Sequence, residues 1–248
     1  MVFRQLIPEP ATVEIGELLH SLDLACRART ELPYTIVNFI SSADGRAAFQ
    51  GRSGAFGDQA DRELFHGLRE QVDAVFVGTG TLRMEHYGRL VRKPERRSRR
   101  EQAGRTPEPL ACIVTRSGDL PLDAPLFGEP EQRVVVFSPM ELEVAELAAQ
   151  VELVVVDPGE LTLTSVFRRL RSLHDVRSLL CEGGPTVFGS LLRERLAHEL
   201  FLTLAPKLVG GGAAPTIASG PELPELTQLR LVWLLENEGA LYLRYAVG

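Results

Sequence analysis

Cysteine is scarce in this chain: Cys26, Cys112 and Cys181 are the only three in 248 residues, far apart and odd in number. That excludes a disulfide-stapled scaffold, and the apolar sequence around them predicts buried, reduced thiols. The five histidines (His20, His66, His86, His174, His198) form no pair with metal-ligand spacing, so no metal is expected. No apolar run approaches a membrane span, and the N-terminus MVFRQLIPEP lacks the charged-then-apolar order of a signal peptide, which predicts a soluble, cytoplasmic chain. An excess of positive charge is missing as well. With a net charge of −6 and no broadly basic side, nucleic acid is not an expected partner.

What the chain does have is length and regular alternation. At 248 residues it is long enough for one large α/β domain with a full core. A helical run from about Thr12 to Ala28 predicts an N-terminal helical extension over 1–32, with the main domain at 33–248. Nine strand-like stretches follow. They begin at Pro33–Ile40, which is apolar on both faces as in a covered parallel sheet, and end in two stretches, Leu229–Glu236 and Ala240–Val247, joined by the hairpin turn Glu236–Gly239. Between them lie helical patterns after Asp58, over Met140–Ala149 and over Thr164–Leu173. The expectation is a layered α/β domain with a mostly parallel central sheet of about nine strands and an antiparallel C-terminal hairpin.

Four places carry chemistry. The stretch LLCEGGPTVFGSLL (179–192) is a strand, a turn and a helix: Gly183 and Gly184 allow close backbone approach, Pro185 suits a first helical turn, and the free N–H groups there suit a phosphate or pyrophosphate. Such turns also occur with no ligand. The segment Gly78-Thr79-Gly80-Thr81 repeats the pattern more weakly. Thr115, Arg116 and Ser117, at another strand end, have the groups that hold a ribose 2′-phosphate, although a plain polar turn has the same composition. Finally, residues 92–109 hold seven basic side chains, which predicts a solvated, mobile loop in which Arg92, nearest the preceding turn, is available to an anion. Arg69, at the border of an apolar helical stripe, either reaches a cleft or is solvated. Asn38 interrupts an apolar strand and serves either its neighbours' backbone or a ligand.

In this order, PYTIVNFISSADGRAA, GRS, HGLREQVDAVFVGTGT, LLCEGGPTVFGSLL and LAPKLVGGG resemble the riboflavin-biosynthesis pyrimidine reductase family, whose fold is similar to dihydrofolate reductase. The resemblance implies a three-layer reductase domain, a homodimer, and NADPH reduction of a phosphoribosylaminopyrimidine, in its uracil or its diamino pyrimidinone form, to the ribitylamino product. It implies cofactor contacts at Thr81, Glu85, Gly184, Pro185, Thr186, Val187 and Phe188, with Gly183 shaping the turn. Substrate contacts are implied at Ser53, Arg69, Arg92 and Glu182, and Asn38, Glu85 and Glu182 are the catalytic candidates. Asp44, in the Ser-x-Asp-Gly turn, reads as structural. Glu85 stands where relatives carry aspartate, and Ala55 or Phe56 where they carry tryptophan. No His-x-Glu or Pro-Cys-x-x-Cys deaminase signature occurs, so a standalone reductase is expected. The alternatives are a relative acting on another substrate, such as a dihydrofolate-like pterin, or a nucleotide-binding protein without turnover.

Overall fold

The computed structural model describes residues 1–144 and 147–248. Its strands in chain order are β1 (Val2–Ile7), β2 (Ala11–Glu14), β3 (Tyr34–Ser42), β4 (Ala74–Gly78), β5 (Leu110–Val114), β6 (Arg133–Ser138), β7 (Gln150–Val155), β8 (Ser178–Cys181), β9 (Glu199–Ala205), β10 (Leu229–Asn237) and β11 (Ala240–Val247). Its helices are α1 (Ile15–His20), α2 (Gln59–Gln71), α3 (Thr79–Glu85), α4 (Pro94–Gln102), α5 (Leu163–His174) and α6 (Pro185–Arg193). The chain divides into two compact units, one of Met1–Asp23, Thr35–Leu68 and Gly184–Gly248, the other of Leu24–Tyr34 and Arg69–Gly183.

The second unit is a wholly parallel arrangement in the order β8-β4-β5-β6-β7. Strands β4, β5 and β8 read AVFVG, LACIV and SLLC and are buried on both faces, as parallel strands between covering layers must be. Helix α5 buries Leu163, Val166, Phe167 and Leu170, the stripe of a 3.6-residue period, and Phe167 meets Phe76 edge to face at 5.5 Å. The Thr162 hydroxyl caps its start by accepting from Ser165 N–H at 3.1 Å, and Asp175 ends it in the left-handed conformation.

The first unit runs β2-β1-β10-β11-β9-β3, antiparallel except for β3 beside β9. Its hairpin turn places Glu238 and Gly239 at positive φ, as a tight two-residue connection between twisted strands requires. Phe3 packs on Tyr242, Phe201 on Trp233, and Phe39 on Phe188 of α6. Helix α2 starts at Asp58, whose carboxylate accepts from Asp61 N–H at 2.7 Å and from the Tyr242 hydroxyl at 3.0 Å.

The α/β class, the parallel strands and the antiparallel C-terminal hairpin are as expected, but among the described residues there are eleven strands rather than nine. The two extra are β1 and β2. The long N-terminal helix is correspondingly cut to α1, because β1 finds a pairing partner in β10, more than two hundred residues away in the chain. The basic run is not a loop: α4 lies within it, with Arg96 and Arg100 buried. The helix expected over Met140–Ala149 falls partly on residues 145 and 146, outside the described residues, and no helix covers the rest of that stretch. Cys112 and Cys181 are buried as expected, whereas Cys26 is exposed because it lies in a surface 3-10 turn. Among the described residues, no helix is long and apolar enough to cross a membrane.

Candidate functional site

In the second unit, Glu182 directly follows β8, and its side chain is 2% exposed. A carboxylate at such a place has to be met by donors, and three meet it. Arg69 clasps it with two bonds, Nε to Oε1 at 2.6 Å and Nη2 to Oε2 at 2.7 Å, while the Tyr87 hydroxyl donates to Oε2 at 2.7 Å. Arg69 also donates from Nη1 to the Leu90 carbonyl, and its guanidinium lies 5.2 Å from the Tyr87 ring centre. Burial alone lowers the arginine's proton affinity, but the adjoining Glu182 outweighs it and holds Arg69 above its ordinary range. Burial, and next the Glu182 charge, push the Tyr87 phenol well up, so it remains a donor.

This bears on two residues read as substrate contacts. Arg69 does not offer an open cation to a phosphate, because it is buried and clasps Glu182. Glu182 is held in place by three donors, two on Oε2 and one on Oε1. Tyr87 belongs to no motif, and nothing in its local spacing pairs it with a residue 95 positions away.

The end of α2 is organised in the same way. Arg100, 1% exposed, donates from Nη1 to the carbonyls of Arg69, Glu70 and Val72 at 2.9, 3.0 and 2.7 Å, and from Nε to the Thr106 carbonyl. A cation thus satisfies the acceptors that a helix C-terminus leaves unpaired. Glu70 takes Arg96 and Arg99; burial raises its pKa, but those two arginines outweigh burial and hold it low. The basic residues of α4 therefore fold onto acids instead of standing in solvent. Arg92 differs: it is exposed and has no side-chain hydrogen-bond or ion-pair partner among the described residues.

Gly183 lies against the β4–α3 junction. A Cβ there would stand 2.7 Å from the Gly78 nitrogen, so the close approach admits glycine alone. Two glycine turns at neighbouring parallel strand ends are thereby in contact, with Thr81 half-buried in the first turn of α3 and Glu85 at its end. That backbone-lined, hydroxyl-bearing junction fits the phosphates of a dinucleotide. The 115–117 turn fits less well than expected. Thr115 is buried with its hydroxyl donating to the Asp119 carbonyl, because the turn closes on itself, while Arg116 and Ser117 are exposed.

In the first unit, α6 begins with Gly184 and Pro185, and the N–H groups of Val187 and Phe188 both return to the Gly184 carbonyl. Thr186 is exposed, 3.2 Å from the Ser219 hydroxyl. Phe188 does not offer its ring to a cofactor: the ring is core, packed on Phe39. Asn38 is half-buried, and its Oδ1 is a buried acceptor with no hydrogen-bond partner among the described residues. Ser53, half-buried, sits in a turn held by Phe56 N–H on its carbonyl, and the Lys207 ammonium donates to the next carbonyls, Ala55 and Phe56. The 206–212 loop is pinned by Asp44, which takes N–H groups of Val209 and Gly210. The Ser42 hydroxyl first, then those two N–H groups, hold the Asp44 carboxyl at about 2.

Residues 33–237 match the family described as RibD C-terminal domain. The chain is 30% identical over 193 residues to the 2,5-diamino-6-ribosylamino-4(3H)-pyrimidinone 5′-phosphate reductase of Archaeoglobus fulgidus, covering 76% of this chain and 87% of that one. It is 27% identical to the riboflavin biosynthesis protein RibD of Mycobacterium tuberculosis over 83% of this chain and 50% of that one. Among solved structures it is similar to a pyrimidine reductase-like protein from Corynebacterium diphtheriae, with a TM-score of 0.78, 25% identity, and coverage of 95% and 99%.

Proposed function

Since the chain belongs to the family of the RibD C-terminal domain, we propose that it is a pyrimidine reductase of riboflavin biosynthesis, reducing a phosphoribosylaminopyrimidine to its ribitylamino product with NADPH. The name of the Archaeoglobus fulgidus relative supports the diamino pyrimidinone form as substrate. Family membership also supports a homodimer working in the cytoplasm. The observation that carries the reading is the contact of the two glycine turns, Gly183 against Gly78, because it makes a backbone-lined seat at parallel strand ends.

NADPH, when bound, supplies the hydride. The chain's own part is to bind and orient. The turn at Gly78–Thr81, with Gly183 against it, holds the dinucleotide phosphates, and Arg116 with Ser117 takes the 2′-phosphate. Arg92, exposed and uncommitted, takes the sugar phosphate. Asn38 offers its unpartnered Oδ1 to a donor on the opened sugar. Glu85, half-buried at the end of α3, handles the proton that accompanies reduction. Glu182 orients the pyrimidine, with Arg69 fixing the carboxylate.

The test is NADPH oxidation at 340 nm with the phosphoribosylaminopyrimidine, beside NADH and beside dihydrofolate. Turnover with dihydrofolate and none with the phosphosugar would overturn the reading. Arg92→Ala is expected to raise KM for the phosphosugar about tenfold or more, the loss of a charge-assisted hydrogen bond, and to leave KM for NADPH in place. An equal rise in both would remove Arg92 from the substrate side.

A further inference from the structure

Tyr87 follows directly on α3, after His86 has ended that helix in the left-handed conformation. It is 8% exposed, and its carbonyl accepts the Leu126 N–H at 2.7 Å, so both backbone and ring are fixed. Its hydroxyl donates to the buried carboxylate of Glu182 at 2.7 Å.

A carboxylate has about four acceptor sites, two on each oxygen. On Glu182, Oε2 receives Arg69 Nη2 and the Tyr87 hydroxyl, and is therefore filled. Oε1 receives Arg69 Nε alone. The arginine fork by itself would leave the two oxygens equivalent, each with one open site; the tyrosine breaks that symmetry. We infer that Tyr87 is a positioning residue for substrate binding: by filling Oε2 it leaves Oε1 as the one oxygen able to accept from an amino or N–H group of the pyrimidine. The inference rests on the reading of Glu182 as the group that orients the pyrimidine. The ring contributes a second restraint, since it lies against the Arg69 guanidinium and limits rotation of the fork.

Tyr87→Phe isolates the point, because it keeps the ring and its contact with Arg69 and removes only the hydroxyl. Steady-state kinetics of this variant with 2,5-diamino-6-ribosylamino-4(3H)-pyrimidinone 5′-phosphate should show KM for the pyrimidine raised about tenfold, the effect of one hydrogen bond to a charged group. KM for NADPH should stay within about twofold. A merely structural role would move both constants together, or neither, and either result overturns the inference. If the unaltered protein does not turn over that pyrimidine, the functional reading fails separately. The positioning claim is then decided by 13C NMR of glutamate-labelled protein, with the Glu182 carboxyl assigned through Glu182→Gln. A changed Glu182 resonance in Tyr87→Phe supports it, and an unchanged one overturns it.

Discussion

Glu182→Leu is expected to destabilise the protein by about 3–5 kcal/mol, because it strands the buried Arg69 cation with no counter-charge. Side-chain exposures of 6% for Arg69 and 2% for Glu182 put the pair among desolvated ion pairs, where losing one partner weighs far more than losing both. The double variant Arg69→Met with Glu182→Leu should therefore recover most of that loss, giving a large coupling energy in a double-mutant cycle. Urea denaturation of the four proteins measures it. Near-additive single effects would show that the pair is solvated in the native state. The pairing keeps Arg69 above its ordinary range, so by linkage this contribution is complete at every pH below that range and is lost only in strong alkali.

The second large effect is expected at Arg100. Its removal deprives the carbonyls of Arg69, Glu70 and Val72, and that of Thr106, of their donors at a place that is 1% exposed. Arg100→Met preserves most of the stem volume, so the loss reports on the cation itself. An unsatisfied buried acceptor costs about 1–3 kcal/mol, and with some rescue by water a total of roughly 3 kcal/mol is expected. Burial pulls the Arg100 guanidinium down to about 10, which still leaves it charged at neutral pH and able to oppose the helix dipole. A fall in the denaturation midpoint with an unchanged slope is the expected signature. A loss under about 0.5 kcal/mol, typical of surface sites, would mean that the α2 terminus is capped without it.

Much of the architecture is legible locally. The apolar runs at 110–114 and 133–138, the stripe Leu163, Val166, Phe167, Leu170 and the Glu236–Gly239 turn each state their own conformation within a few residues. Elements whose identity depends on distant partners are not. Strand β1 is a strand because β10 pairs with it, and its own sequence does not say so. Helix α4 is unreadable for the same reason. Seven basic residues repel one another unless acids neutralise them, and those acids, Glu70 and Glu108, lie outside the run or at its end. At the site, the glycine turns and Glu182 declare themselves by position after a strand. The commitment of Arg69 to Glu182 does not, because the two are 113 residues apart.

The two buried thiols give the molecule a property unconnected with its chemistry. Cys112 and Cys181 are fully enclosed; burial pushes the first well above the ordinary thiol range and the second up to about 12. Cys26 is on the surface. A thiol reagent therefore meets one reactive group in the native protein, and two more only when the parallel strands come apart. The chain carries its own labelling handle and, at the centre of one of its units, its own clock for opening.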